Sequence, residues 1–169
     1  MSNGHGPAAV VAGGDRYFED FLVGSVREFG SYRVTEEEII GFARRYDPQY
    51  FHVDPEAAAQ SPFGGLIASG WHTAAMMMRL LVDNVLSSAA ALGSPGVDEV
   101  RWIRPVRPGD ELSLRVTVRS ARRSRSKPDR GIVVFFIEVG NAGKATVMTL
   151  QAAGMYRCRD KACGAEGGI

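Results

Sequence analysis

Cysteine is scarce in this chain. There are two in 169 residues, Cys158 and Cys163, both within the last dozen positions. A C-x4-C pair with no other Cys or His cluster near it in sequence does not make a zinc site, so no metal centre is expected. The two are read as free thiols in a frayed tail, and a reducing cytoplasm is the default compartment. An excess of charge of one sign is also missing: Lys and Arg number 20, Asp and Glu 19, for a net charge of +1. Bulk electrostatics therefore offers no case for nucleic acid as a partner. No apolar run reaches the roughly 18 to 20 residues that span a bilayer, so no membrane partner is expected. The opening "MSNGHGPAAVVAGG" lacks a basic start and a sustained apolar stretch, so no signal peptide is expected. Histidine is sparse too, with His5, His52 and His72 alone.

What is present suits one soluble domain. Hydrophobic residues make up 45% and charged residues 23%, an ordinary mixture for a chain long enough to bury a core. Residues 1–14 are rich in Gly and Ala and are expected to be disordered, as is the tail 160–169. A single domain is expected over 15–159.

Local patterns divide that domain. Ser25 to Thr35 has β-favouring residues in loose alternation and predicts a strand. Thr35 and Glu38 then form a T-x-x-E capping box. Ile39, Ile40, Phe42, Ala43 and Tyr46 follow at helical spacing. That helix must stop at Asp47, because Pro48 disfavours α geometry in the residue before it. Asp54 and Pro55 read as the N-cap and first position of a short helix through Ser61. A long helix is predicted from Ser69 to Gly93. Its middle, Ala74 to Val82, is apolar all round apart from Arg79, which predicts burial. The period then changes to two, predicting strands over Val97–Val106, Asp110–Arg123, Gly131–Ala142 and Lys144–Arg159. The fold class is therefore α+β, an antiparallel sheet wrapped around one long central helix.

Within "RYDPQYFHVDPEAA", Asp47 and His52 lie five residues apart, confined to a turn between two helices. A carboxylate and an imidazole that contact one water can manage proton transfers. An Asp before Pro is also a common turn residue, and a lone His in an aromatic loop is often structural. His72, on the buried helix, is read as a hydrogen-bonded core residue. Met76 to Met78 are core filler or the lining of an apolar pocket. Arg101 to Arg130 holds ten Lys or Arg against three acids, either solvated strand faces and edge protection or an anion site.

Four segments carry a resemblance over about Tyr17 to Arg159. They are "FEDFLVGS", "YDPQYFHVDPEAA", "FGGLIASGWHTAAMMMRL" and "VRWIRPVRPGDELSLRVTV". The sequence resembles the MaoC-like dehydratases, which include the R-specific enoyl-CoA hydratases and have a hot-dog fold. It departs from them in three places. Gln49 stands where Asn is usual, the proline is displaced by two positions, and Ser69-Gly70 replaces His-Gly.

The resemblance implies water addition across a trans-2-enoyl-CoA to give an (R)-3-hydroxyacyl-CoA, or the reverse, by a homodimer or a dimer of dimers. The substrate is an acyl-CoA or an acyl-carrier protein thioester, and no separate cofactor is implied. It also implies that Asp47 and His52 hold and activate the water. Gly70 begins the central helix, where a backbone N–H lacks an intrahelical acceptor and sits at the positive end of the dipole. It is the expected oxyanion donor, and glycine would let a ligand approach closely. Ser69 lines the pocket or caps the helix, and Gln49 joins them as a substrate contact. Arg122, Arg123, Arg125 and Lys127 are the expected contacts to coenzyme A phosphates. An acyl-CoA thioesterase is an alternative on the same fold, though the first acid on the central helix, Asp83, comes late. An acyl-CoA-binding protein without turnover is the non-enzymatic alternative.

Overall fold

The computed structural model describes residues 16–86 and 88–159. The expected tails at 1–14 and 160–169, with His5 and Cys163, lie outside the described residues.

Five antiparallel strands form one sheet in the order β1-β3-β4-β5-β2. They are β1 (Val26–Arg33), β2 (Gly96–Trp102), β3 (Glu111–Arg123), β4 (Arg130–Gly140) and β5 (Thr146–Arg157). Alternation puts Leu112, Leu114, Val116 and Val118 of β3 on the same buried face as Val133, Phe135, Ile137 and Val139 of β4. Against that face lies α4 (Gly70–Asn84), which buries His72, Thr73, Met76, Met77, Leu80 and Leu81. This is the antiparallel sheet around a central helix that the periodicity predicts. Each fully buried Leu or Met contributes about 1.5–3 kcal/mol, so the sheet and α4 hold each other in register.

The remaining helices precede α4. Helix α1 (Glu36–Tyr46) begins at Thr35, whose hydroxyl accepts the Glu38 N–H at 3.2 Å. It ends before Pro48, as required. Helix α2 is a single turn (Tyr50–Val53), and α3 (Pro55–Ala59) starts on Asp54, whose side chain accepts the N–H groups of Glu56 and Ala57. The presumed turn around His52 is thus a helical turn.

Four expectations need correction. First, α4 stops at Asn84, not at Gly93. The backbone beyond it is taken by β5: Arg157 N–H donates to Ala90, Leu92 N–H to Met155, and Met155 N–H to Gly93. Sheet-type bonds there override the helix propensity of the alanines. Second, α4 is not buried all round. Trp71, Ala75, Met78 and Val82 form an exposed stripe, with Trp71 62%, Met78 47% and Val82 51% accessible. Third, β2 ends at Trp102, short of the expected Val106, because the chain turns away through Pro105, which has no N–H for the ladder. Fourth, Cys158 is buried, and its N–H donates to Asp129 at 2.8 Å, so it belongs to the body of the domain and not to a frayed tail.

Candidate active site

Asp47 is the C-cap of α1. Its N–H closes the last helical bond to Ala43 at 2.8 Å, and Pro48 then sends the chain away. One turn later, α2 points the His52 ring inward, leaving the residue 5% accessible. His52 Nδ1 lies 2.8 Å from the Ile67 carbonyl. A carbonyl only accepts, so Nδ1 carries a hydrogen, and in the uncharged form of the ring Nε2 is the acceptor. Nε2 lies 3.5 Å from Asp47 Oδ2. The sequence-derived pair is brought together.

The carboxylate is held from both sides. Ser69 Oγ donates to Asp47 Oδ2 at 2.7 Å, and Gln49 Nε2 donates to Oδ1 at 2.8 Å. The Ser69 hydroxyl, then the Gln49 amide, hold the Asp47 carboxyl below the usual carboxylate range. Burial opposes them and His52 assists. Asp47 is therefore an anion at neutral pH. Ser69 is fully buried and its Oγ also accepts the Trp71 N–H at 3.2 Å, so it caps α4 and orients the acid at once. It does not line the cavity, whereas Gln49 does. Two of the three departures from the resembled pattern, Gln49 and Ser69, therefore contact the acid directly.

A cavity of about 430 Å³ opens onto the pair, with Gly70, Trp102, Arg104 and Val106 among its other walls. Gly70 is the first residue of α4, as expected. The close approach that requires glycine there is made by an indole: a Cβ at Gly70 would lie 2.6 Å from Trp102 Cε2. Trp102 Nε1 donates to the Gly70 carbonyl at 2.8 Å, and the ring meets Trp71 edge-on at 5.2 Å. Sequence reasoning missed Trp102 because alternation does not distinguish a strand-end tryptophan that reaches a helix from one that joins the core. Arg104 was missed among ten basic residues of like appearance.

Other candidates lie elsewhere. His72 stacks on Phe42 at 4.7 Å and 11°. Its Nδ1 is buried with no hydrogen-bond partner among the described residues, so it is a core residue but not bonded through that atom. Burial depresses its basicity, with Glu38 opposing. Arg122 and Arg123 end β3, and Arg125 and Lys127 follow in the β3–β4 loop. The cavity adjoins the opposite end of β3, which is 13 residues, or roughly 40 Å, long. The structure does not bring these four to the cavity, and Arg123 pairs with Glu19 at 3.0 Å. Among the described residues no three His, Cys, Asp or Glu cluster as metal ligands, and no helix is long and apolar enough to cross a membrane.

Residues 21–139 match the MaoC-like domain. The chain belongs to that family. MaoC-like domains carry out hydration and dehydration of acyl thioesters, and the fold is the hot-dog arrangement of that family. The MaoC-like dehydratase of Rhodospirillum rubrum is 41% identical, superposes with a TM-score of 0.79, and the match covers 86% of this chain and 99% of that one. The uncharacterized protein YdeM of Bacillus subtilis is 31% identical over 129 residues, 76% of this chain and 90% of that protein. The 3-hydroxyacyl-thioester dehydratase Z of Mycobacterium tuberculosis is 38% identical over 81 residues, 47% of this chain and 54% of that protein.

Proposed function

We propose that this MaoC-like domain adds water across a trans-2-enoyl-CoA to give the (R)-3-hydroxyacyl-CoA, and runs the reverse dehydration. The reading rests on one observation. Two hydrogen-bond acceptors, Asp47 Oδ2 and His52 Nε2, face each other at 3.5 Å beside a cavity. A water that donates one hydrogen to each has its oxygen lone pairs free to attack C3. Asp47 is held below the usual carboxylate range and is the poorer proton acceptor. His52 Nε2 therefore takes the proton as the O–C3 bond forms, and Asp47 orients the water and stabilises the imidazolium. The same proton returns to C2. Enolate charge on the thioester oxygen meets the first turn of α4, where the Trp71 N–H is already given to Ser69 and the Gly70 N–H has no intrahelical acceptor.

A second copy of the chain is part of this reading. Strand β2 is an exposed sheet edge, and beside it α4 turns Trp71, Met78 and Val82 outward. An open edge with an apolar neighbour favours pairing, and a light-scattering mass of one chain at micromolar concentration would exclude it.

Crotonyl-CoA tests the chemistry. The conjugated-thioester absorbance should fall without thiol release. Asp47→Asn and His52→Ala should each lower the rate by about 10²–10⁴-fold with unchanged circular dichroism. Thiol release from saturated acyl-CoAs would instead indicate a thioesterase, and binding without either reaction a non-catalytic acyl-CoA binder. Wild-type turnover in both variants would exclude this pair as the site.

A further inference from the structure

We infer that Arg104 and Arg107 form a cationic subsite at the cavity mouth for the phosphate groups of a phosphopantetheine-linked thioester. The identity of the ligand rests on the hydration reading above; the geometry of the subsite does not.

Arg104 is an exposed wall of the cavity that holds Asp47 and His52. Its Nη1 donates to the Thr146 carbonyl at 2.7 Å, at the start of β5. Arg107 Nη2 donates to the carbonyl of Phe63, itself a cavity wall, at 2.5 Å. Both heads are thus held by backbone carbonyls, one from the start of β5 and one from a cavity wall. Neither has a carboxylate within ion-pair distance among the described residues. By contrast Arg33, Arg79, Arg101, Arg115, Arg123, Arg130 and Arg159 each have one. A carbonyl dipole fixes a guanidinium without neutralising it. Each guanidinium has five N–H donors, and one bond to a carbonyl leaves most of the fork open. Planar forks of this kind suit phosphate oxygens.

The position fits the length of the ligand. A cavity of about 430 Å³ takes the acyl group and thioester. The phosphates, at the far end of the pantetheine arm, must then lie outside the mouth. Arg104 and Arg107 stand three positions apart, at most roughly 10 Å along the chain, so one extended ligand can reach both. Placing the charge here moves the expected anion site from Arg122–Lys127 to the end of the sheet where the chemistry lies.

The test uses the whole protein with Arg104→Gln and Arg107→Gln, singly and together. Glutamine keeps a neutral donor for the carbonyl, and thermal melts check that the fold persists. The first readout is calorimetric binding of coenzyme A, which needs no turnover. The double variant should bind about 10–100-fold more weakly than wild type, and wild-type affinity should fall with added salt. The second readout is turnover of crotonyl-CoA against crotonyl-N-acetylcysteamine, which has no phosphate. KM for the CoA ester should rise about 10–100-fold, and the loss on the phosphate-free ester should be at least tenfold smaller. Phosphopantetheine distinguishes the two sources of the arm. A loss of affinity equal to that for coenzyme A assigns the subsite to the single phosphate shared with an acyl-carrier protein. A smaller loss assigns it to the extra phosphates of coenzyme A. Unaltered coenzyme A affinity in the double variant overturns the subsite while leaving hydration intact. Weakened affinity without hydration by wild type upholds the subsite and overturns the hydration reading. Absence of coenzyme A binding by wild type overturns the subsite outright.

Discussion

Ser69→Ala is the most informative single change, because one hydroxyl performs two tasks that separate with pH. The Ser69 hydroxyl donates to the Asp47 carboxylate at 2.7 Å and accepts the Trp71 N–H at the start of α4. A hydrogen bond to a charged group contributes about 1.5–3 kcal/mol, and a serine N-cap contributes about 1 kcal/mol. The side chain is fully buried, so water does not replace either bond freely. The expected loss is therefore about 2–4 kcal/mol. At about 2–4 °C per kcal/mol for a domain of this size, Tm should fall by roughly 5–15 °C near pH 7.5. Asp47 has a folded pKa below its ordinary 3.8. Its contribution is therefore present above that value and lost as pH falls through the folded one. Calorimetric melts should show the full deficit at neutral pH, shrinking in acid toward the capping part alone. With its largest stabilising contact gone, Asp47 becomes a weaker acid. A Tm change under about 2 °C, or a deficit equal at all pH values, would refute the dual role.

Gly70→Ala should push the Trp102 indole off the helix, breaking its bond to the Gly70 carbonyl at a cost of about 1–3 kcal/mol. Tryptophan emission should shift to the red. A double-mutant cycle with Trp102→Ala should show coupling of about 1 kcal/mol or more, and strict additivity would contradict the packing described. His72 is neutral in the fold because burial lowers its pKa below the ordinary 6.5. The unfolded chain therefore takes up the proton first, and stability should decline as pH falls from about 6.5 toward the folded value. His72 faces the Phe42 ring and Glu38, and His72→Met should flatten that decline in denaturant titrations between pH 7.5 and 5. An identical slope in the variant would show that another group is responsible.

The parts of the site that were readable in the sequence are those fixed by neighbours in the chain. Pro48 ends α1 and exposes Asp47, and Asp54-Pro55 restarts the helix after His52. Thr35 and Glu38 cap α1 as the spacing requires. Long-range contacts were less legible. Ser69 reaches Asp47 across 22 positions, and Trp102 reaches Gly70 across 32. No periodicity encodes such pairings, because each depends on how β2 and α4 settle against the same sheet. The end of α4 was misplaced for a related reason: the alanines after it suit a helix, but β5 offers their backbone better partners. Charge density in sequence pointed to Arg122–Lys127, whereas what distinguishes Arg104 is its place on the cavity wall.

The bonds around Asp47 also remove the symmetry of its carboxylate. In water the two oxygens of an aspartate are interchangeable, and a half-turn about Cβ–Cγ restores the same group. Here Oδ1 is tied to an amide and Oδ2 to a hydroxyl beside an imidazole. A half-turn would pass through an orientation that satisfies neither donor, so the oxygens acquire separate identities. Infrared spectra of protein carrying isotopically labelled aspartate should then resolve Asp47 with a wider splitting between symmetric and antisymmetric stretches than solvent-exposed aspartates show. Gln49→Ala should narrow it.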